Sequence, residues 1–145
     1  IELDPQRPAG AYGRLADVYE MLGKYDEALV LLEKGAELEG RPRGAERNVR
    51  AARIYALMGR RDEAIGLLKG SRGSDRQMLA MAHTALGDRD EAFRLLFGII
   101  EHPSFNVYVK TDPAFDRLHS DPRWQEVLRR MNYPSDTVTS TPEAR

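Results

Sequence analysis

The chain has 145 residues, of which 41% are hydrophobic and 31% are charged, and its formal net charge is -1. This even balance argues against a nucleic-acid-binding protein, which needs a basic patch or stripe. Cysteine is absent, so disulfides and thiolate metal sites are excluded, and every apolar run is too short to cross a bilayer. We expect one domain with a continuous core, located in the cytoplasm, with neither nucleic acid nor membrane as a partner.

The first residues, 1–8, are interpreted as the remnant of a preceding unit. Ile1-Glu2-Leu3-Asp4-Pro5 is similar to Ala36-Glu37-Leu38-Glu39-Gly40 further along the chain. Proline after a helix end is a stop signal. We infer a piece cut from a longer protein, with a disordered leader as the alternative.

One pattern, Gly-x-x-Asp-Glu-Ala-apolar-x-Leu-Leu, occurs at 23–32, 59–68 and 87–96. The glycine supplies the left-handed conformation that ends one helix. The acidic pair then enters the first turn of the next helix, where the helix dipole favours carboxylates. Alanine allows two antiparallel helices to approach closely. The pattern therefore predicts three stacked helical hairpins, each too small to bury its own apolar face.

The three hairpins predict units of unequal length at 9–43, 44–73 and 74–104. The second unit is shortened because Gly66, Gly70 and Gly73 each cost about 1 kcal/mol in a helix interior. We therefore expect irregular geometry around the second and third units. The buried face of the first helix is predicted to contain Tyr12, Leu15, Ala16, Tyr19 and Leu22.

Residues 105–132 are predicted to form C-terminal capping helices over the exposed end of the array. Two starts, Thr111-Asp112-Pro113 and Ser120-Asp121-Pro122, combine a capping residue with proline at the first helical position. Residues 105–110 fit a helical turn or an alternating strand, and we favour the helix. The face of the last helix is formed by Trp124, Val127, Leu128 and Met131. Residues 133–145 are predicted to be a disordered tail.

The repeated pattern resembles the tetratricopeptide repeat, a helix-turn-helix unit of about 34 residues. The sequence departs from that pattern at Gly35, Asn48, Arg76 and His83. The resemblance implies an all-α fold, a right-handed α-solenoid of antiparallel helix pairs with about three units plus capping helices. It is carried by Leu15, Ala16, Tyr19, Gly23, Tyr25 and Ala28, by Ala51, Ala52, Tyr55, Gly59 and Ala64, and by Leu79, Ala80, Gly87 and Ala92.

A second resemblance concerns the segment 109–131. It is similar to the segment that closes tetratricopeptide arrays in bacterial multidomain signalling proteins. That resemblance implies the C-terminal part of a larger signalling or regulatory protein, and it leaves the upstream effector domain unnamed.

We identify no catalytic site and expect neither a metal nor a cofactor. His83, His102 and His119 lie in separate elements, without the i, i+4 spacing of a helical zinc site. The Asp-Glu pairs recur at one structural position, which helix capping explains better than acid-base catalysis. His83 stands in the slot of Tyr19 and Tyr55 and is expected to pack between helices.

The tetratricopeptide resemblance implies a protein or peptide partner in a concave groove lined by the first helix of each unit. By register, the groove-facing candidates are Gly13, Arg14, Asp17, Arg50, Arg53, Gln77, Met78 and Met81.

Two pairs of these candidates suggest what the groove holds. Arg50 and Arg53 are three residues apart and are placed to hold a carboxylate, with a solvated charged face as the alternative. Met78 and Met81 offer an adaptable apolar floor, or are core filler. Family members that grip a C-terminal carboxylate of chaperones have lysine and asparagine where this chain has Gly13 and Asp17, so that ligand class is not expected.

Two other functions remain open at this stage. The array is a candidate for an intramolecular regulatory arm that packs on an upstream effector domain. It is also a candidate for self-association, as a homo-oligomer formed through an exposed N-terminal edge.

Overall fold

The computed structural model describes residues 9–40, 44–71, 73–100 and 107–131, and the regular elements in these ranges are all helical. Predictions for 1–8, 133–145, His102 and the first part of 105–110 lie outside the described residues. The α-helices are α1 Ala9–Met21, α2 Tyr25–Leu38, α3 Ala45–Leu57, α4 Arg61–Lys69, α5 Arg76–Leu86, α6 Arg89–Ile100 and α7 Arg123–Arg130. Two 3-10 helices, Val107–Thr111 and Pro113–Leu118, lie between α6 and α7.

The repeated glycines lie at the bends between paired helices, as the sequence predicts. Gly23, Gly59 and Gly87 have φ values of 71°, 78° and 78°, in the left-handed region. The amide after each glycine donates to the carbonyl five residues earlier, at 2.8 Å, 2.8 Å and 2.9 Å respectively. This bond satisfies a carbonyl that the helix end leaves unpaired, so the same local chemistry closes each first helix.

The acidic pairs lie in the first turns of α2, α4 and α6, also as predicted. At α2 and α4, however, the residues before the helix are Lys24 and Arg60, and no side chain caps the free amides. The carboxylates therefore stabilise these helices through the helix dipole rather than by direct capping bonds.

The helices pack as antiparallel pairs, α1 with α2, α3 with α4, and α5 with α6. Ala28, Ala64 and Ala92, at the equivalent position of each pair, are fully buried. Neighbouring pairs meet through different helices. Helix α3 packs on α2 where the first and second pairs meet, and mainly on α5 where the second and third pairs meet. Helix α4 has nine residues and contacts α5 only slightly, so the shortened unit makes the array irregular.

The large buried side chains form two clusters instead of one continuous core. One cluster joins α1, α2 and α3 around Tyr12, Leu31 and Ile54. The other joins α5, α6 and the C-terminal elements around Phe93 and Phe115. In the described part of the chain, the buried apolar residues outside both clusters are Ala36, Val49, Ala52, Ala64 and Ala82.

One predicted core position in α1 is wrong. Tyr12 and Ala16 are buried, but Leu22 is 64% exposed. Helix α1 ends at Met21, so Leu22 belongs to the turn before Gly23 and leaves the helical face on which the periodicity had placed it.

The C-terminal elements cover the end of the array. The second 3-10 helix packs on α5, and α7 packs on α6. Asp112 accepts a hydrogen bond from the Ala114 amide at 2.9 Å, and Asp121 accepts one from the Arg123 amide at 3.0 Å. Both predicted capping aspartates are therefore in use, although α7 begins after Pro122 rather than at it.

Candidate functional site

The first helices of the three pairs, α1, α3 and α5, line a cleft. A cavity of about 430 Å³ lies between them and reaches the segment that joins the two 3-10 helices. An adjoining cavity of about 640 Å³ shares Arg50, Asp75 and Met78 with it and extends toward the start of α1. We refer to the two cavities together as the cleft. The smaller cavity is lined by Asp17, Met21, Val49, Arg50, Arg53, Asp75, Gln77, Met78, Met81 and Asp112.

The structure places the site candidates that the sequence suggested around this cleft. Six of them line the smaller cavity, and Gly13 and Arg14 line the larger one. Sequence reasoning did not assign the acidic residues Asp75 and Asp112 to this cleft. It also did not assign Met21, whose side chain is 75% exposed.

An ion pair joins α1 to α3 at the wall of the cleft. The Nη1 atom of Arg50 donates to Oδ1 of Asp17 at 2.7 Å and to the carbonyl of Gly13 at 3.3 Å. The Nε atom of Arg50 also lies 3.6 Å from a carboxylate oxygen of Glu46. Arg50 is therefore already surrounded by acceptors from its own chain.

A second ion pair lies one turn further along the same helices. Arg53 donates from Nε and Nη2 to Oε1 of Glu20, at 2.8 Å and 2.5 Å. The Glu20 side chain is only 7% exposed. Burial raises the pKa of Glu20 above its usual value, and the neighbouring Arg53 partly offsets this effect. A charge this deeply buried is strongly unfavourable without an oppositely charged partner, and here that partner is Arg53.

The sequence contains a spacing that indicates these two ion pairs, although the sequence-based predictions did not use it. Asp17 and Glu20 are three residues apart on α1, as Arg50 and Arg53 are on α3, and each pair is separated by 33 residues. This matched spacing places two carboxylates opposite two guanidinium groups whenever the helices align in register.

The floor of the cleft is formed by methionine. Met78 and Met81 are half-buried, and Met21 reaches the same cavity from α1. The Nη1 atom of Arg53 lies 3.2 Å from the sulfur of Met81. Flexible thioether side chains adapt to differently shaped apolar partners.

The described residues do not suggest reactive chemistry. His83 is half-buried, with Nδ1 3.2 Å from a carboxylate oxygen of Asp88. The backbone carbonyl of His83 accepts the hydrogen bond that ends α5 at the Gly87 turn. No group of three or more histidine and acidic residues in these ranges could hold a metal ion. None of the helices described here combines the length and apolarity needed to cross a lipid bilayer.

Stacked antiparallel helix pairs whose first helices line a cleft define an α-helical repeat protein. The family model described as tetratricopeptide repeat matches residues 9–41, which contain α1 and α2. Residues 9–41 are therefore similar to a single tetratricopeptide repeat. No curated protein and no solved structure gives a significant match. Tetratricopeptide repeats generally mediate protein-protein interaction, and their all-helical fold is typically a non-catalytic interaction module.

Proposed function

We propose that this protein binds a segment of another protein in the cleft between α1, α3 and α5. The observation that carries this proposal is the methionine floor of the smaller cavity, bordered by polar side chains. An apolar surface with a polar border is the usual character of a peptide-binding groove. An extended or helical segment is the form of ligand that such a groove takes.

Met21 allows a direct test, because it lines the cleft and is 75% exposed. Met21→Gln should leave the fold intact and place a neutral polar amide among the methionines. Peptides are selected on the wild-type chain from a random twelve-residue library displayed on phage. They are expected to bind this variant about tenfold more weakly than the wild type, with affinity measured by fluorescence anisotropy.

Val30→Gln is the matched control. Val30 is 55% exposed on α2 and lines a different surface hollow, with Tyr55 and Glu37. Peptide affinity should be unchanged in this variant. Weakened binding in Val30→Gln with full binding in Met21→Gln would place the peptide site outside the cleft.

Self-association is a second candidate function, supported by the distribution of exposed apolar residues. Within the described ranges, the exposed large apolar side chains are Val18, Met21, Leu22, Val30 and Leu38, and all belong to the first helical hairpin. The opposite end of the array is covered by the C-terminal elements. A second copy of the chain could therefore pack on the uncovered α1 surface.

The test of self-association is the mass in solution, measured by light scattering over a range of protein concentrations. The wild-type mass should rise with concentration, whereas Val18→Glu combined with Leu22→Glu should remain monomeric. A wild-type protein that stays monomeric at every concentration would exclude this function.

A cytoplasmic, bacterial signalling context is also proposed. It is supported by the sequence pattern of 109–131, which includes the second 3-10 helix and α7.

A further inference from the structure

We infer that the cleft takes a peptide segment in which basic residues flank an apolar one. This inference rests on the proposed function and specifies its ligand. The sequence suggested instead that Arg50 and Arg53 would hold an acidic group. The ion pairs of the structure argue against that ligand.

The charge of Arg53 is already neutralised by a carboxylate of its own chain. Its Nε and Nη2 atoms both contact Glu20, and its Nη1 atom contacts the Met81 sulfur. A ligand that displaced Glu20 would leave a buried carboxylate without its cation, which is strongly unfavourable. Acidic segments therefore gain little from Arg53.

Arg50 is also compensated, by Asp17 at 2.7 Å and by Glu46 at 3.6 Å. The guanidinium group lies among two carboxylates and the Gly13 carbonyl. A ligand carboxylate would therefore compete with two carboxylates of the chain itself for this arginine.

Two other carboxylates of the smaller cavity take part in helix capping. Asp75 accepts from the Gln77 and Met78 amides at the start of α5, and Asp112 accepts from the Ala114 amide. Each of these capping bonds uses Oδ1. A helix N-terminus carries about half a positive charge, so capping leaves a net negative charge at each aspartate.

The geometry thus combines an apolar centre with acidic borders. Met78 and Met81 form the centre, with Asp75 and Asp112 on the walls of the same cavity. Lysine or arginine side chains of a bound segment would meet these aspartates, while a leucine or a similar side chain rested on the methionines. Such complementarity between charges sets specificity and association rate more than total affinity.

The test uses the phage-displayed twelve-residue library described above, with the wild-type chain as bait. Selected peptides should be enriched in lysine and arginine around an apolar residue, relative to the unselected library. Asp75→Asn combined with Asp112→Asn should weaken a synthesised selected peptide about five- to tenfold, as two partly exposed ion pairs allow. Asparagine remains a good capping residue, so the helices should persist. Circular dichroism measures whether the helix content is unchanged.

Asp62→Asn is the matched control, because Asp62 is exposed in the first turn of α4 and lies outside the cleft. It should bind the same peptide as the wild type does. Peptides that depend on Met21 but carry no basic excess, or that bind the double variant fully, would overturn this inference and leave the proposed function standing. A selection without any Met21-dependent peptide would overturn both.

Discussion

Replacing Arg53 with alanine is expected to lower the free energy of unfolding by about 2 to 4 kcal/mol, because breaking a buried ion pair leaves one charge uncompensated. The charge left behind is Glu20, whose side chain is 7% exposed. Urea unfolding followed by circular dichroism measures the change. The loss should appear in the transition midpoint, with an unchanged slope.

Two controls separate the buried charge from the loss of any arginine. Arg60 pairs with Glu63 at the surface, at 2.7 Å, so Arg60→Ala should change stability much less than Arg53→Ala does. Glu20→Leu combined with Arg53→Met replaces both charges with apolar groups and should recover most of the loss. An Arg53→Ala protein as stable as Arg60→Ala would contradict the assigned role of Glu20.

The pH dependence of unfolding provides a further readout of the same pair. The folded-state pKa of Glu20 is raised by burial, so its contribution to stability is fully present below the unfolded pKa and is lost as pH rises through the folded pKa. Asp121 behaves oppositely, because hydrogen bonds from Arg123 lower its pKa to about 2. Its contribution is lost as pH falls toward 2. The Glu20→Gln variant should no longer lose stability as the pH rises. It should still lose the contribution of Asp121 as the pH falls.

Phe115→Ala is expected to cost about 3 to 5 kcal/mol, the range for removing a buried aromatic side chain. Phe115 is fully buried in the cluster that joins the 3-10 helices and α7 to α5 and α6. Its ring lies 6.3 Å from that of Trp124, which is the one tryptophan of the chain. Tryptophan fluorescence during urea unfolding therefore reports directly on this cluster.

Leu38→Ala is the control for this substitution, because Leu38 is 43% exposed and should lose less than about 1 kcal/mol. The fluorescence midpoint should fall in Phe115→Ala and stay in place in Leu38→Ala. A small effect of Phe115→Ala would mean that the C-terminal elements are only loosely attached to the array.

Local chemistry made much of this protein predictable from its sequence. A glycine that must adopt a positive φ, an acidic pair in a first turn and an alanine at a close helix approach depend on neighbours a few residues away. These rules located the bends at Gly23, Gly59 and Gly87, whereas the candidates for the cleft followed from the register of the tetratricopeptide resemblance. The same residues give the resemblance to the tetratricopeptide repeat, whose family model matches residues 9–41.

Only the tertiary structure decided how distant side chains pair and how the units meet. The contacts of Asp17 with Arg50 and of Glu20 with Arg53 span 33 residues, and they exist only because α1 and α3 lie side by side at one particular offset. The packing of α3 on α5 likewise joins helices that are distant in the sequence. Such offsets arise from the fit of whole helix surfaces, a property that no single stretch of sequence contains.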